Sequence, residues 1–212
     1  MIRVLLADDH AIVRTGLREI LESTGDIEVA AEASNGHEAL SAVRHGEFDI
    51  AVLDLSMPGR SGIELIRLIK EEKPKLRLLI LTMHSEEQYA VRALRAGASG
   101  YLTKESAADE LVTAVRRIAS GGAYISPETA ERLAHDAVPG RSDLPHRSLS
   151  NREYEVFRMI VAGKSITEIG GELNLSVKTI STHKSRILEK MGVASQAELV
   201  RYAVENKLLD DA

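Results

Sequence analysis

Asp8, Asp9, Asp54, Thr82 and Lys104 each stand at or just past the end of a short apolar run. The runs are Ile2–Ala7, Ile50–Leu53, 76–81 and 100–102, and each has the length and branched character of a strand. In an open parallel sheet all strand C-termini share one edge, and that edge is where ligands bind. The carboxylates, the hydroxyl and the ammonium are therefore expected in one pocket. Clustered carboxylates suit a hard divalent cation. A cation beside a carboxylate, with Thr and Lys near, suits a phosphoryl group.

Within that set Asp54 is the expected covalent site. It stands at the rim of the sheet, before Met57-Pro58-Gly59. A carboxylate is a weak nucleophile, but it can attack phosphorus once a metal neutralises charge on both partners. Asp8, Asp9, Asp54 and the backbone carbonyl of Met57 would hold Mg2+, whose octahedral shell leaves places for water and a phosphoryl oxygen. Lys104 would pair with Asp54 at rest and with the phosphoryl group afterwards. Thr82 would donate to a phosphoryl oxygen. Any one of these acids alone reads as readily as a solvated strand end; the full set, with Pro58 and Gly59 in place, does not.

The elements that must position these residues alternate strictly. Strands are expected at Ile2–Ala7, 27–31, 49–53, 76–81 and 99–102. Helices are expected at 10–23, 35–45, 60–73, 86–95 and Ala107–Ala119. Ile12, Val13, Leu17, Ile20 and Leu21 carry the helical spacing of the first helix. The fold class is α/β, a doubly wound five-stranded parallel sheet in the order 2-1-3-4-5. That order sets the ends of strands one and three side by side at the switch point. Residues 1–120 form this domain, 121–148 a linker rich in Pro and Gly, and 149–212 a second domain. Within the linker, Ser126-Pro127 could start a short helix reaching about residue 134.

The second domain reads as all-α, with four helices over 150–161, 165–173, 177–190 and 195–205. The second and third make a helix–turn–helix around Asn174-Leu175. The third carries Val177, Ile180, Ile187 and Leu188 on an apolar face. Its other face shows Lys178, Thr179, Ser181, Thr182, Lys184, Ser185 and Arg186. Hydroxyls can approach base edges, and Lys and Arg can meet phosphates. Gly170-Gly171 lies inside the second helix and should cost about 1–2 kcal/mol relative to two alanines if both are exposed.

The chain of 212 residues has no cysteine, which excludes disulfides, iron–sulfur clusters and thiolate zinc. It opens directly on a strand pattern, without the regions of a signal peptide, and its apolar runs are too short to span a bilayer. A cytoplasmic protein with no direct membrane binding is expected. The formal net charge of −5 is uneven, −4 over residues 1–126 and +1 over 141–212.

Residues 1–120 resemble the receiver domain of two-component response regulators through "LLADDH", "AVLDLSMPGRSGIEL", "LILTM" and "GASGYLTK". The resemblance implies that Asp54 accepts phosphate from a sensor histidine kinase and that Tyr101 is an aromatic switch turning inward as Thr82 moves. In that family the residues at the positions of Ser56 and His84 tune attack of water on the acyl phosphate; His84 here either positions water or faces solvent, the second being favoured. Lys104-Glu105 departs from the family's more frequent Lys-Pro. Residues 149–212 resemble the DNA-binding domain of the NarL/FixJ (LuxR-type) regulators, and the phrase "LNLSVKTISTHKSRILEK" looks most like the GacA/UvrY group. By that likeness Ser181, Thr182 and Ser185 face bases, Lys178, Thr179 and Lys184 meet phosphates, and the last helix pairs two copies on double-stranded DNA. His183 is expected in a core or supporting role, with direct contact to DNA as the alternative.

The reading is a phosphorylation-switched transcription factor, a homodimer on DNA; the resemblance to the GacA/UvrY group implies a hybrid, membrane-bound sensor kinase as partner and promoters of small regulatory RNAs as targets. It is not expected to be an enzyme beyond slow self-dephosphorylation. The competing reading is a Mg-dependent aspartyl-phosphate phosphohydrolase, but Ser56 stands where such an enzyme wants an acid–base carboxylate. A third reading, in which the helical domain binds protein, runs against the hydroxyl–cation face.

Overall fold

The computed structural model describes residues 1–57, 62–83, 87–126, 130, 144–206 and 208. Its contacts divide the chain into two compact units, 1–133 and 134–212.

In the first unit β1 (Ile2–Ala7) is buried from Val4 to Ala7, as a central strand covered on both faces must be. It pairs in parallel with β2 (Ile27–Ala33) on one side and β3 (Ile50–Leu53) on the other. β4 (Arg77–Thr82) and β5 (Gly100–Thr103) continue the sheet. The order β2-β1-β3-β4-β5 is the expected one, and β2 runs two residues further than expected.

A sixth strand, β6 (Tyr124–Ile125), adds to the far edge of β5, within the stretch read as linker. Two residues between Gly121-Gly122 and Pro127 carry too little pattern to announce a strand. The pairing comes from the neighbouring edge, where Tyr124 N donates to Ser99 O at 3.1 Å. The Tyr124 hydroxyl donates to Glu110 Oε2 at 2.6 Å.

Helices α1 (Ala11–Glu22) and α5 (Ala107–Ala119) pack on one face of the sheet. Leu17, Leu21, Leu111, Val115 and Ile118 meet Val4, Leu6, Val52, Leu79 and Leu81 there. Each such fully buried aliphatic side chain stabilises by about 1.5–3 kcal/mol. Helices α2 (Gly36–His45), α3 (Gly62–Glu72) and α4 (Glu87–Arg95) belong to the other face, with α2 against α3 and α3 against α4. Asn35 caps α2 through bonds from His37 N and Glu38 N. One expectation fails locally: Ile12 is 89% exposed. It sits one position before Val13, and the stripe Val13–Leu17–Leu21 already fills the buried arc of the helix.

In the second unit a 3-10 turn at Pro145–Ser148 precedes the helices. The unit holds α6 (Asn151–Val161), α7 (Ile166–Leu173), α8 (Val177–Met191) and α9 (Gln196–Glu205). Serines 150, 165, 176 and 195 cap the four helices, and the first two form capping boxes with Glu153 and Glu168. Between α7 and α8 the chain turns through Asn174 in the left-handed region (φ 53°). Tyr154, Phe157, Ile160, Ile169, Ile180, Ile187 and Leu199 make the core. Of the short helix expected from 126 to about 134, only Ser126 and Ala130 are among the described residues, and Ala130 N donates to Ser126 O at 2.9 Å.

Candidate functional site

The parallel sheet does bring the acids together. Asp8 follows β1 and Asp54 follows β3, and neighbouring strands hold both: Asp8 N donates to Ala33 O, and Asp54 N to Ala7 O. Both side chains are buried, Asp9 is partly exposed, and Thr82 is fully buried at the end of β4. Lys104 N donates to Thr82 O at 2.9 Å, fixing the lysine one strand away.

From there Lys104 reaches across β4. Its Nζ lies 2.7 Å from Asp54 Oδ2 and 2.7 Å from Asp8 Oδ2, with the side chain 9% exposed. Burial alone would lower the lysine's pKa. The hydrogen bond that Lys104 donates to Asp54, its close approach to Asp8 and the charge of both carboxylates outweigh it and hold the ammonium above its ordinary range. Asp54 Oδ1 accepts from Ser56 N at 3.0 Å. Ser56 is exposed and Met57 is buried. Pro58, Gly59 and His84 lie outside the described residues. Tyr101 is fully buried in β5, paired in register with Ile125 of β6.

The donor set fits a cation. One ligand atom from each of Asp8, Asp9, His10 and Asp54 lies within 4.8 Å of the others. Asp8 Oδ2 and Asp9 Oδ1 are both buried and neither accepts a well-formed hydrogen bond. Their close neighbours are nitrogens instead, Lys104 Nζ at 2.7 Å from Asp8 Oδ2 and His10 Nδ1 at 2.8 Å from Asp9 Oδ1. Oxygens left with spare lone pairs in a buried acidic cluster are what a hard divalent ion completes. His10 is the member that sequence reasoning missed. Its signal was its position directly after the two acids in "LLADDH".

The second candidate surface is α8. Lys178, Thr182 and Ser185 are exposed and lie three and four positions apart on one face, while Thr179, Ser181 and Lys184 are half-buried. Thr179 is drawn into the N-terminal cap, its hydroxyl 2.8 Å from Ser176 Oγ. The Thr182 and Ser185 hydroxyls donate to Lys178 O and Ser181 O, leaving oxygen lone pairs outward. Lys184 Nζ donates to Gln196 Oε1 at 2.7 Å, across to the start of α9.

Val177 is corrected. Spacing put it inward, but as the first residue of α8 it is 44% exposed, and the buried face of the helix begins at Ile180. His183 is half-buried with Nδ1 enclosed and without a hydrogen bond. Burial first, then nearby Arg152, pushes its pKa down. Arg152 pairs with Glu155 at 2.6 Å and donates to Leu173 O, so its guanidinium braces α6 against the end of α7.

Residues 4–116 match the response regulator receiver domain, and residues 147–203 match the bacterial regulatory proteins of the luxR family. The chain is 38% identical over 209 residues to the response regulator UvrY of Escherichia coli (strain K12), covering 98% of this chain and 96% of that protein. It is 40% identical over 215 residues to the oxygen regulatory protein NreC of Staphylococcus carnosus, covering 98% and 99%. Among solved structures it resembles RcsB of Salmonella enterica serovar Typhimurium bound to promoter rprA in the presence of phosphomimetic BeF3−. That likeness has a TM-score of 0.71 and 30% identity, over 96% of this chain and 99% of the other. The architecture is that of a transcriptional regulator rather than of a phosphohydrolase. No described helix is long and apolar enough to cross a membrane. The chain belongs to the NarL/FixJ-type response regulators, DNA-binding transcription factors that join a receiver to a LuxR-type helix–turn–helix.

Proposed function

We propose that this regulator is switched by phosphorylation of Asp54, with a sensor histidine kinase as donor, and that it then binds promoter DNA as a homodimer in the cytoplasm. The observation that carries the reading is the buried bridge of Lys104 Nζ, 2.7 Å from both Asp54 and Asp8. A buried carboxylate held by one movable ammonium can exchange that partner when a phosphoryl group arrives.

In this reading Asp8, Asp9, Asp54 and the Met57 carbonyl hold Mg2+, which when bound supplies charge neutralisation at the phosphoryl oxygens. Asp54 contributes the attacking oxygen. Lys104 moves from carboxylate to phosphoryl oxygen, and Thr82 donates its hydroxyl to another. Tyr101, buried beside the end of β4, senses the shift of Thr82. Residues 1–120 form the receiver, 121–148 the linker and 149–212 the DNA-binding domain.

On α8, Ser181, Thr182 and Ser185 meet base edges, while Lys178, Thr179 and Lys184 meet phosphates. Val177 adds an exposed aliphatic group suited to a thymine methyl. RcsB, solved on promoter DNA, supports this use of the domain by likeness. Promoters of small regulatory RNAs, which the resemblance of "LNLSVKTISTHKSRILEK" to the GacA/UvrY group implies, are the targets to try first.

The test compares the intact chain with Asp54→Ala on candidate promoter duplexes, with Mg2+ and a small phosphodonor, across a salt series. Tightening by the donor in the unsubstituted chain alone, weakened by salt, supports the switch. Equal binding by both leaves DNA recognition and removes the switch.

A further inference from the structure

His10 occupies the N-cap of α1, yet its imidazole makes no capping hydrogen bond. Ser, Asp or Asn would stabilise that helix end better. The side chain is 65% exposed and is turned toward the acids, with Nδ1 2.8 Å from Asp9 Oδ1 and 3.6 Å from Asp8 Oδ1. Its backbone N–H donates to Asp8 Oδ1 at 2.8 Å, which fixes the imidazole's root beside the cluster. Lys104 bridges Asp8 and Asp54 through their Oδ2 atoms, whereas His10 lies against the Oδ1 atoms of Asp8 and Asp9.

We propose that His10 is a nitrogen ligand of this acidic centre, which therefore also takes a nitrogen-accepting first-row ion of the Co2+, Ni2+ or Zn2+ kind. The proposal rests on the reading of Asp8, Asp9 and Asp54 as a cation centre. Mg2+ takes oxygen ligands and gains nothing from an imidazole. Later first-row ions bind imidazole strongly and gain a fourth side chain here. Ligands on opposite sides of an ion with bonds of about 2.0–2.2 Å stand about 4.2 Å apart. A donor set spanning no more than 4.8 Å closes on such an ion with shifts of a few tenths of an ångström. The phosphoacceptor pocket would then discriminate between cations. A His10-bound ion would compete with Mg2+ for the same carboxylates and so tie phosphorylation to the supply of such metals.

The experiment titrates the intact chain with Co2+, read by its visible ligand-field absorption, and separately with Mg2+, read by amide chemical shifts of residues 8–10 and 53–56. Native chain and His10→Gln are compared. His10 is exposed, so the substitution leaves the core untouched. The expected result is a loss of about tenfold in Co2+ affinity with a shifted absorption band, while Mg2+ affinity stays within about twofold. Unchanged Co2+ binding in His10→Gln overturns the proposal. An equal loss for both ions also overturns it, because His10 would then only orient Asp9. If neither ion shifts residues 8–10 and 53–56 in the native chain, the cation-centre reading fails and takes the proposal with it.

Discussion

Lys190 Nζ meets Glu153 Oε2 at 2.7 Å, tying the last turn of α8 to the first turn of α6. Glu153 is nearly enclosed and also accepts from Ser150 N at 2.7 Å, completing a capping box. One carboxylate thus serves a helix start and the seating of the helix that carries the DNA-facing residues.

The pH dependence of the second unit follows from that pair. Burial would raise the Glu153 pKa, but Lys190 and Ser150 outweigh it and hold the carboxyl at about 2, against 4.5 unperturbed. A lowered folded-state pKa stabilises above the unfolded value and loses that contribution as pH falls through the folded one. The window is therefore pH 4.5 down to about 2. Glu153→Gln keeps a capping side chain and removes the charge. It should cost about 1–3 kcal/mol at pH 7, Lys190 being partly solvent-screened. Thermal unfolding of both chains across this range should show the difference shrinking toward zero at the acid end. A difference independent of pH would sink the assignment.

The two glycines of α7 should respond in opposite ways. A Cβ at Gly171 meets nothing within 4 Å, whereas one at Gly170 falls 2.9 Å from Leu175 O in the turn. Gly171→Ala should stabilise by about 1 kcal/mol through helix propensity. Gly170→Ala should gain nothing or destabilise. Denaturant midpoints at unchanged slope would decide it.

Removing the ammonium of Lys104 leaves Asp8 and Asp54 buried with a missing counter-charge. Lys104→Met should lower the melting temperature, the loss corresponding to about 2–4 kcal/mol. Added Mg2+ should then raise the melting temperature more in the variant than in the native chain, since a cation replaces the lost charge. An equal or smaller Mg2+ effect would count against the cluster as a cation site.

Lys178 is exposed at the start of α8. Lys178→Ala should weaken binding to all duplexes alike. It should also reduce the slope of log K against log salt by about 1. Val177→Ala should leave the slope alone and relax preference at a single base pair. If Lys178→Ala changes sequence preference instead, its role is base contact rather than phosphate contact.

Local chemistry made much of this protein legible without coordinates. Continuous aliphatic runs mark buried parallel strands, and their order along the chain places Asp8, Asp54, Thr82 and Lys104 at one sheet edge. Serines three residues before Glu153 and Glu168 announce two helix starts. Asn174, able to adopt the left-handed conformation, marks the turn before α8. The tertiary structure decided what depends on neighbours. Two residues became a strand because β5 offered an open edge to Tyr124-Ile125. Val177 and Ile12 are exposed because burial depends on how far a packed partner reaches, which spacing alone does not encode. Lys104 bridges two acids, and His10 joins them, because a carboxylate's partners are set by distance in space. Sequence separation says nothing of a lysine fifty positions from the aspartate it touches.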